Sequence, residues 1–112
     1  MKIGILLPYK ENFSPEYPGA VSLFVNETSL KSRFKNNIVV FGSTNFKKKF
    51  KLSYENINLF PNPLKSQTKS YVKKFIQIQK KFNFSIIEIH NRPSYVDLLK
   101  KDLNEKVLAL YF

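Results

Sequence analysis

The sequence predicts an α/β protein with a doubly wound, mainly parallel sheet of five strands and helices on both faces. Three observations indicate this fold. Short continuous apolar runs, typical of strands buried on both sides, alternate with longer segments of helical periodicity. Gly, Pro or Asn separate many of these segments. The alternation implies right-handed crossovers between parallel strands, so we expect the strand order 3-2-1-4-5 of a single Rossmann-like domain over all 112 residues.

The first half of the chain supplies three strands and one helix. In order, the predicted elements are a strand at Lys2–Pro8, a helix from about Ala20 to Phe34, a strand at Ile38–Phe41 and a short strand at Ile57–Phe60 that Pro61-Asn62-Pro63 closes. The buried stripe of the helix is expected at the apolar positions with helical spacing, which are Ala20, Leu23, Phe24, Leu30 and Phe34. Within Asn45–Asn58, apolar residues alternate with Lys and Ser, which suggests an edge strand or ribbon.

The second half supplies two helices and two strands. The predicted elements are a helix from Ser66 to about Phe82, a strand at Phe84–Ile89, a helix that begins at Pro93 and Ser94, and a fifth strand at Lys106–Phe112. Ser66 is expected to cap the longer helix, and Ser94 with Asp97 has the spacing of a capping box. The buried stripe of the longer helix is expected to comprise Tyr71, Val72, Phe75, Ile76, Gln79 and Phe82.

Composition narrows the classes of function. The chain has no cysteine and one histidine, so a disulfide scaffold is excluded and a metal site is not expected. No apolar run approaches the length of a membrane span, and we expect a cytoplasmic protein. The net charge is +11, and all but two of the nineteen basic residues are lysines. This charge is open to two interpretations: an anionic partner, or the composition of an AT-rich genome.

The candidate site lies in the segment SIIEIHNRPSYVDLLKK. An apolar strand there ends in His90, Asn91 and Arg92, and a proline then opens a helix. In parallel sheets, ligands bind outside the carboxyl ends of the strands. Gly19 has the same position between the first strand and its helix, so we expect one cleft lined by Gly19, His90, Asn91, Arg92 and Tyr9. The structural alternatives are a turn glycine, a strand-end histidine bonded to backbone, a turn or capping asparagine and a surface arginine.

Two segments resemble a known enzyme family. The opening KIGILLPYKENFSPEYPGAVSLFVNETS and the later IIEIHNRP resemble the amino-terminal half of the group 1 glycosyltransferases, family-4-like enzymes with the GT-B fold. The resemblance implies a domain that binds the acceptor, with a separate carboxyl-terminal half that binds the nucleotide-sugar donor. The chain departs from the family pattern at Gly19-Ala20, where many members have Gly-Gly.

The resemblance implies roles for the candidate residues. His90 would hydrogen-bond an acceptor hydroxyl or a sugar, Arg92 would bind an anionic group, and Gly19 would expose a backbone N–H to a phosphate or acceptor oxygen. No residue is assigned as catalytic. Tyr9, Phe13 and Tyr17 either form an apolar wall against a sugar or lipid acceptor or pack the long first loop onto the domain.

The same resemblance implies partners. The missing carboxyl-terminal half would bind the nucleotide-sugar, so the chain alone is expected to be inactive. No cofactor and no metal are expected in this chain. The run Lys47-Lys48-Lys49-Phe50-Lys51 is either a solvated loop or a contact with anionic membrane.

Two other classes of protein are weighed against the enzyme fragment. A basic module that binds nucleic acid agrees with the net charge, but the lysines are scattered and no nucleic-acid signature is present, so this partner is not favoured. A small receiver-type regulator would need clustered acids at strand ends, which the sequence lacks, and neither a P-loop nor a G-x-G-x-x-G motif occurs.

Overall fold

The computed structural model describes residues 1–60, 63–103 and 106–111. Its strands are β1 (Ile3–Leu6), β2 (Ile38–Gly42), β3 (Ser53–Asn56), β4 (Ile86–His90) and β5 (Val107–Tyr111). Its helices are α1 (Ala20–Lys31), α2 (Gln67–Gln79) and α3 (Pro93–Lys100), and one 3-10 turn (Lys35–Asn37) leads into β2. All pairings are parallel in the order β3-β2-β1-β4-β5, which confirms the predicted Rossmann-like α/β fold.

β1 lies at the centre of the sheet because its residues are apolar on both faces. All four are buried, and the strand pairs with β2 on one side and β4 on the other. Gly4 is required here by packing: a Cβ at this position would lie 2.8 Å from the ring of the buried Phe84. A side chain in the middle of β1 would therefore displace an aromatic ring of the core.

Successive strand residues point to opposite faces and build two separate cores. The core under α2 and α3 includes Leu6, Phe41, Tyr71, Phe75, Ile87, Ile89, Tyr95 and Leu99. The core under α1 includes Ile3, Ile5, Leu7, Phe13, Val25, Ile38 and Val40. Two helices thus cover one face and a single helix covers the other, which leaves room on the α1 face beside β4 and β5.

Two buried tyrosines fix the backbone where β1 ends. The hydroxyl of Tyr71 in α2 donates to the carbonyl oxygen of Leu7 at 2.7 Å. The hydroxyl of Tyr95 in α3 accepts from the backbone N–H of Tyr9 at 3.0 Å. Both tyrosines are fully buried. The first loop therefore leaves the sheet in a direction set by both helices of one face.

The predicted third strand at Ile57–Phe60 is wrong, because β3 occupies Ser53–Asn56. An edge strand buries less surface than a central one, so this strand consists of the half-exposed sequence SYEN and does not stand out as an apolar run. Ile57 is buried directly after it and donates its N–H to Gly42. The edge strand or ribbon predicted within Asn45–Asn58 is confirmed in its second part, since β3 lies at the edge of the sheet, while residues 45–52 form a loop. Of the predicted closing turn, Pro61 and Asn62 lie outside the described residues.

The predicted buried stripe of the first helix is also wrong. α1 buries Ser22, Val25 and Ser29, and it exposes apolar residues that its periodicity marks as core: Leu23 (42%), Phe24 (55%) and Leu30 (43%). Small serine side chains let the helix backbone lie close to the sheet. The residues of α1 that contact the sheet are therefore distinguished by their small size and not by their hydrophobicity. The helix ends at Lys31, three residues before the predicted Phe34.

Of the two predicted helix caps, one is confirmed and one is wrong. Ser66 caps α2, since its hydroxyl accepts from the N–H of Lys69 at 3.3 Å, and the helix ends at Gln79 and not at Phe82. The capping box at Ser94 is wrong. Arg92 is the N-cap of α3 and makes no side-chain capping bond. Pro93, the first helical residue, has no N–H to satisfy, and the N–H of Tyr95 donates to the carbonyl oxygen of Arg92 at 3.0 Å. Phe112, the predicted end of the fifth strand, lies outside the described residues.

The hydrogen bond from Tyr71 predicts a measurable alkaline instability. Burial, with smaller contributions from Tyr95 and other tyrosines, raises the pKa of Tyr71 well above 10.0. The unfolded chain loses this proton near pH 10 and the folded chain keeps it, so the stability it contributes is full below pH 10 and falls as the pH rises further. We expect Tyr71→Phe to reduce the free energy of unfolding by about 1–3 kcal/mol at neutral pH and to weaken the alkaline loss.

Urea denaturation near pH 7 and above pH 10 measures both effects. Tyr17→Phe is the matched control, because Tyr17 is 85% exposed and should leave both quantities unchanged. An alkaline loss in Tyr71→Phe equal to that of the parent protein would contradict the assignment.

Candidate functional site

Two hollows open at the carboxyl edge of the sheet, on either side of the end of β1. One lies beside β4 and β5, and we call it the His90 hollow. It has a volume of about 520 Å³ and is lined by Ala20, Val21, Phe24, His90, Asn91, Leu110 and Tyr111. A groove of about 280 Å³ between α1 and β4 continues from it, sharing Phe24, His90 and Tyr111. The first turn of α1 therefore meets the end of β4, as the parallel strands predict.

His90 is the last residue of β4, and its side chain turns toward the α1 face. The residue is 5% exposed, and its ring centroid lies 4.9 Å from that of Tyr111 and 6.2 Å from that of Phe24. Nε2 is buried and has no hydrogen-bond partner among the described residues. It lies 3.6 Å from Oε2 of Glu88, close enough for an ion pair when the ring is protonated. Nε2 is therefore not satisfied by the backbone, as the structural alternative for this histidine would require, and lies instead beside a carboxylate.

Glu88 is a site residue that the sequence analysis missed. It lies two residues before His90, and the two-residue period of a strand places both side chains on one face. That period was the available signal. The Glu88 side chain is 23% exposed in the groove, and its negative charge, with a smaller contribution from burial, raises the pKa of Tyr111. Glu88 thus lies beside His90 and acts electrostatically on Tyr111.

Gly19 is the N-cap of α1, and a carboxylate of the chain itself already occupies the N-terminus of this helix. Oε2 of Glu11 accepts from the hydroxyl of Ser22 at 2.9 Å and from its N–H at 3.4 Å. A Cβ on Gly19 would lie 1.5 Å from this oxygen. The glycine therefore makes room for Glu11, at the place where the sequence predicted contact with a phosphate or an acceptor oxygen.

Asn91 and Arg92 differ in their relation to the hollow. Asn91 lines it and turns the chain from β4 toward α3 with a left-handed φ of 55°, a conformation that asparagine tolerates. Its N–H donates to the carbonyl oxygen of Tyr111 at 2.8 Å. Arg92 is exposed, does not line either hollow, and donates from Nη1 to the carbonyl oxygen of Asn91 at 2.7 Å. Its guanidinium is directed back to its own turn.

The second hollow lies beside β2 and β3, and we call it the Tyr9 hollow. It has a volume of about 430 Å³ and is lined by Tyr9, Lys10, Asn12, Ser43, Asn45, Phe46, Ile57, Asn58 and Leu59. The single cleft predicted for Tyr9, Gly19, His90, Asn91 and Arg92 is therefore divided, with Tyr9 on one side of β1 and His90 with Asn91 on the other.

The predicted aromatic wall is divided as well. Phe13 is fully buried in the core and its ring stacks on that of Tyr54 at 5.3 Å, so it is not a ligand contact. Tyr17 is largely exposed, and its ring centroid lies 6.2 Å from that of Phe46 at the Tyr9 hollow.

Comparisons of the chain with protein-family models, with curated proteins and with solved structures give no match. Across residues 1–60, 63–103 and 106–111, no group of three His, Asp or Glu side chains could hold a metal ion.

The contact between Glu11 and Gly19 predicts a non-additive pair of substitutions. Gly19→Ala should displace the carboxylate and cost about 1 kcal/mol of stability through its bonds to Ser22. Glu11→Ala removes the same bonds. The double variant should therefore be more stable than the sum of the two single losses predicts, as urea denaturation would measure. Glu16→Ala, an exposed neighbour, combined with Gly19→Ala should be additive; additivity in the Glu11 pair would refute this contact.

The charge of Glu88 predicts a shift in a neighbouring phenol. Glu88→Gln should lower the pKa of Tyr111 toward its ordinary value, because the charge that opposes the phenolate is removed. Tyr54, whose pKa is raised chiefly by burial, should not change. Carbon-13 NMR titration of labelled tyrosines measures both. Glu27→Gln on the exposed face of α1 is the matched control. An unchanged pKa of Tyr111 in Glu88→Gln would show that Glu88 and Tyr111 are not coupled.

Proposed function

We propose that the chain is the acceptor-binding, amino-terminal domain of a glycosyltransferase that moves a sugar from a nucleotide-sugar to an acceptor hydroxyl. One observation carries the proposal: a buried imidazole beside a carboxylate lines an open hollow at the carboxyl edge of a parallel, Rossmann-like sheet. The resemblance of the opening segment and of IIEIHNRP to group 1 glycosyltransferases supports the same assignment.

The position of the His90 hollow suits an acceptor. It lies between the ends of β1 and β4, where the strand order reverses, and ligands of doubly wound sheets bind at such switch points. Its walls combine the rings of Phe24 and Tyr111 with the polar side chains of His90 and Asn91. Aromatic rings pack against the C–H faces of a sugar, and an imidazole and an amide can bond its hydroxyls.

His90 is the proposed general base. As the acceptor oxygen forms a bond to the anomeric carbon of the donor sugar, its proton passes to the imidazole. The bond from that carbon to the diphosphate oxygen breaks, and its electron pair leaves with the nucleoside diphosphate. Glu88, 3.6 Å from Nε2, stabilises the imidazolium that forms and orients the ring, so it is a positioning residue.

The donor belongs to a second, carboxyl-terminal half in this proposal. The sequence has no phosphate-binding glycine motif, and Glu11 holds the N-terminus of α1 that could otherwise receive a diphosphate. A carboxylate at this point repels a second anion, which favours the acceptor side over the donor side for this domain.

The proposed function also predicts where in the cell the domain is located. Among the described residues, none of the helices has both the length and the apolar character needed to cross a bilayer. We place the domain in the cytoplasm, where nucleotide-sugars are made available, and at the membrane surface when the acceptor is lipid-linked. The exposed run Lys47–Lys48 and the other lysines of the loop after β2 would then face anionic lipid.

The test uses the protein encoded by the complete reading frame, with UDP- and GDP-sugars as donors and a panel of sugar and glycolipid acceptors. His90→Gln should lower kcat by about 100-fold or more, since a general base contributes 10²–10⁴-fold. Glu88→Gln should lower kcat by about tenfold without changing the Kd of the donor, and Glu27→Gln should change neither. The 112-residue chain alone should transfer nothing and should bind these donors weakly in calorimetry.

Two results would overturn the proposal. A tight, stoichiometric complex of the chain alone with a nucleotide-sugar would place the donor in this domain. Transfer at the parental rate by both His90→Gln and Glu88→Gln would remove the pair from the reaction.

A further inference from the structure

We infer that the Tyr9 hollow binds an anionic sugar, a hydroxyl-rich molecule that carries a phosphate or a carboxylate. The inference deepens the proposed function and rests on it for one point, that this molecule is part of the acceptor. The binding itself is independent of transfer.

The size and position of the hollow fit a small ligand. Its volume of about 430 Å³ lies within the range of small-molecule sites. The loops that follow β1, β2 and β3 each supply part of its wall, at the edge of the sheet where parallel strands present their ligand sites.

The walls present neutral polar groups beside aromatic rings. Ser43, Asn45 and Asn58 contribute one hydroxyl and two amides, while Tyr9 and Phe46 contribute rings. The amide of Asn12 belongs to the wall itself, because Nδ2 donates to two backbone carbonyls and Oδ1 is buried. Within the described part of the chain, the side chains of Ser43 and Asn45 make no hydrogen bond. Amides and hydroxyls can both donate to and accept from the hydroxyls of a sugar, and the rings suit its C–H faces.

The charge of the hollow selects an anion. Among the residues that the structure describes, Lys10 is the one charged residue that lines the hollow, and none of the lining residues is an acid. Nζ of Lys74 donates to the carbonyl oxygen of Asn58 at 2.6 Å, which brings a second ammonium to the wall. Three consecutive lysines follow Phe46 in the chain. Cations gathered around a concave polar site raise the local concentration of an anionic ligand and strengthen its binding.

A hydrogen-bond network holds the wall in place before any ligand arrives. Oδ1 of Asn56 accepts from the N–H of Thr44 at 2.8 Å, and Nδ2 of Asn56 donates to Oδ1 of Asn58 at 2.6 Å. This bond orients the amide of Asn58. On the opposite wall, Nδ2 of Asn12 donates to the carbonyl oxygens of Glu16 and Tyr17. Walls that are already ordered lose little entropy on binding.

The test is an NMR titration of the ¹⁵N-labelled chain with glucose 6-phosphate, glucuronate, glucose and inorganic phosphate. We expect saturable shifts in the backbone signals of Lys10, Ser43 and Asn58 with at least one of the two acidic sugars, whose comparison separates phosphate from carboxylate recognition. Glucose and phosphate should each bind at least tenfold more weakly, because glucose lacks the anionic group and inorganic phosphate lacks the sugar ring.

Matched variants assign the binding to this hollow. Lys10→Asn removes the charge and keeps a residue suited to the left-handed φ of 67°, and it should weaken binding by about tenfold. Phe46→Ala should weaken it by a similar factor through loss of the ring. Lys35→Gln, an exposed lysine in the turn that leads into β2 at the opposite edge of the sheet, should change nothing.

Each outcome decides between the two proposals. Equal binding of inorganic phosphate and the acidic sugars, shifts confined to other surfaces, or full affinity in Lys10→Asn would overturn the inference. Binding of an acidic sugar by a chain whose complete protein transfers no sugar would sustain the inference and defeat the proposed function. Transfer to neutral acceptors with no binding of acidic sugars would defeat the inference and sustain the proposed function.

Discussion

The carboxyl edge of this domain depends on two tyrosine hydroxyls that satisfy the backbone where β1 leaves the sheet. Tyr71 donates to Leu7, and Tyr95 accepts from the N–H of Tyr9. Leu7 is fully buried, so water cannot replace the bond that its carbonyl receives. With its exit direction fixed, one loop serves both sides of the edge: it gives Lys10 and Asn12 to the Tyr9 hollow, and it sends Glu11 to the start of the helix that borders the His90 hollow.

Prediction from sequence succeeds in this fold where a segment is buried on both sides. β1 and β2 are continuous apolar runs, and the isoleucines of β4 form most of a third, because these side chains meet a core; the alternation of such runs with helices leads to the strand order. β3 is an edge strand made of SYEN, and its pairing with β2 leaves no hydrophobic mark. In α1, periodicity identifies Phe24 as core, although the helix packs through Ser22 and Ser29. Close packing of α1 on the sheet requires small residues at these positions, and a pattern of hydrophobicity contains no information about side-chain size.

The candidate site divides in the same way. His90 and Asn91 are local to one strand end, and their position follows from the rule that places ligands outside parallel strands. Glu88 is hidden within IIEIH, which reads as a buried run, until the two-residue period is applied to it. The Tyr9 hollow has no motif at all, since Asn12 and Asn58 are brought together by loops from different strands. Such a site exists only once the register of three strands is set.

The strand order also shapes how the protein is made. β1 leaves the ribosome first and finds its neighbour β2 within the next few tens of residues, but its other neighbour, β4, is synthesised far later. Pairings between distant segments form slowly because a long loop must close first. A nascent chain that ends before Tyr95 contains four of the five strands, but the N–H of Tyr9 still lacks its hydroxyl partner. The ligand edge is therefore the last part of the domain to mature, although its first loop is among the earliest residues translated.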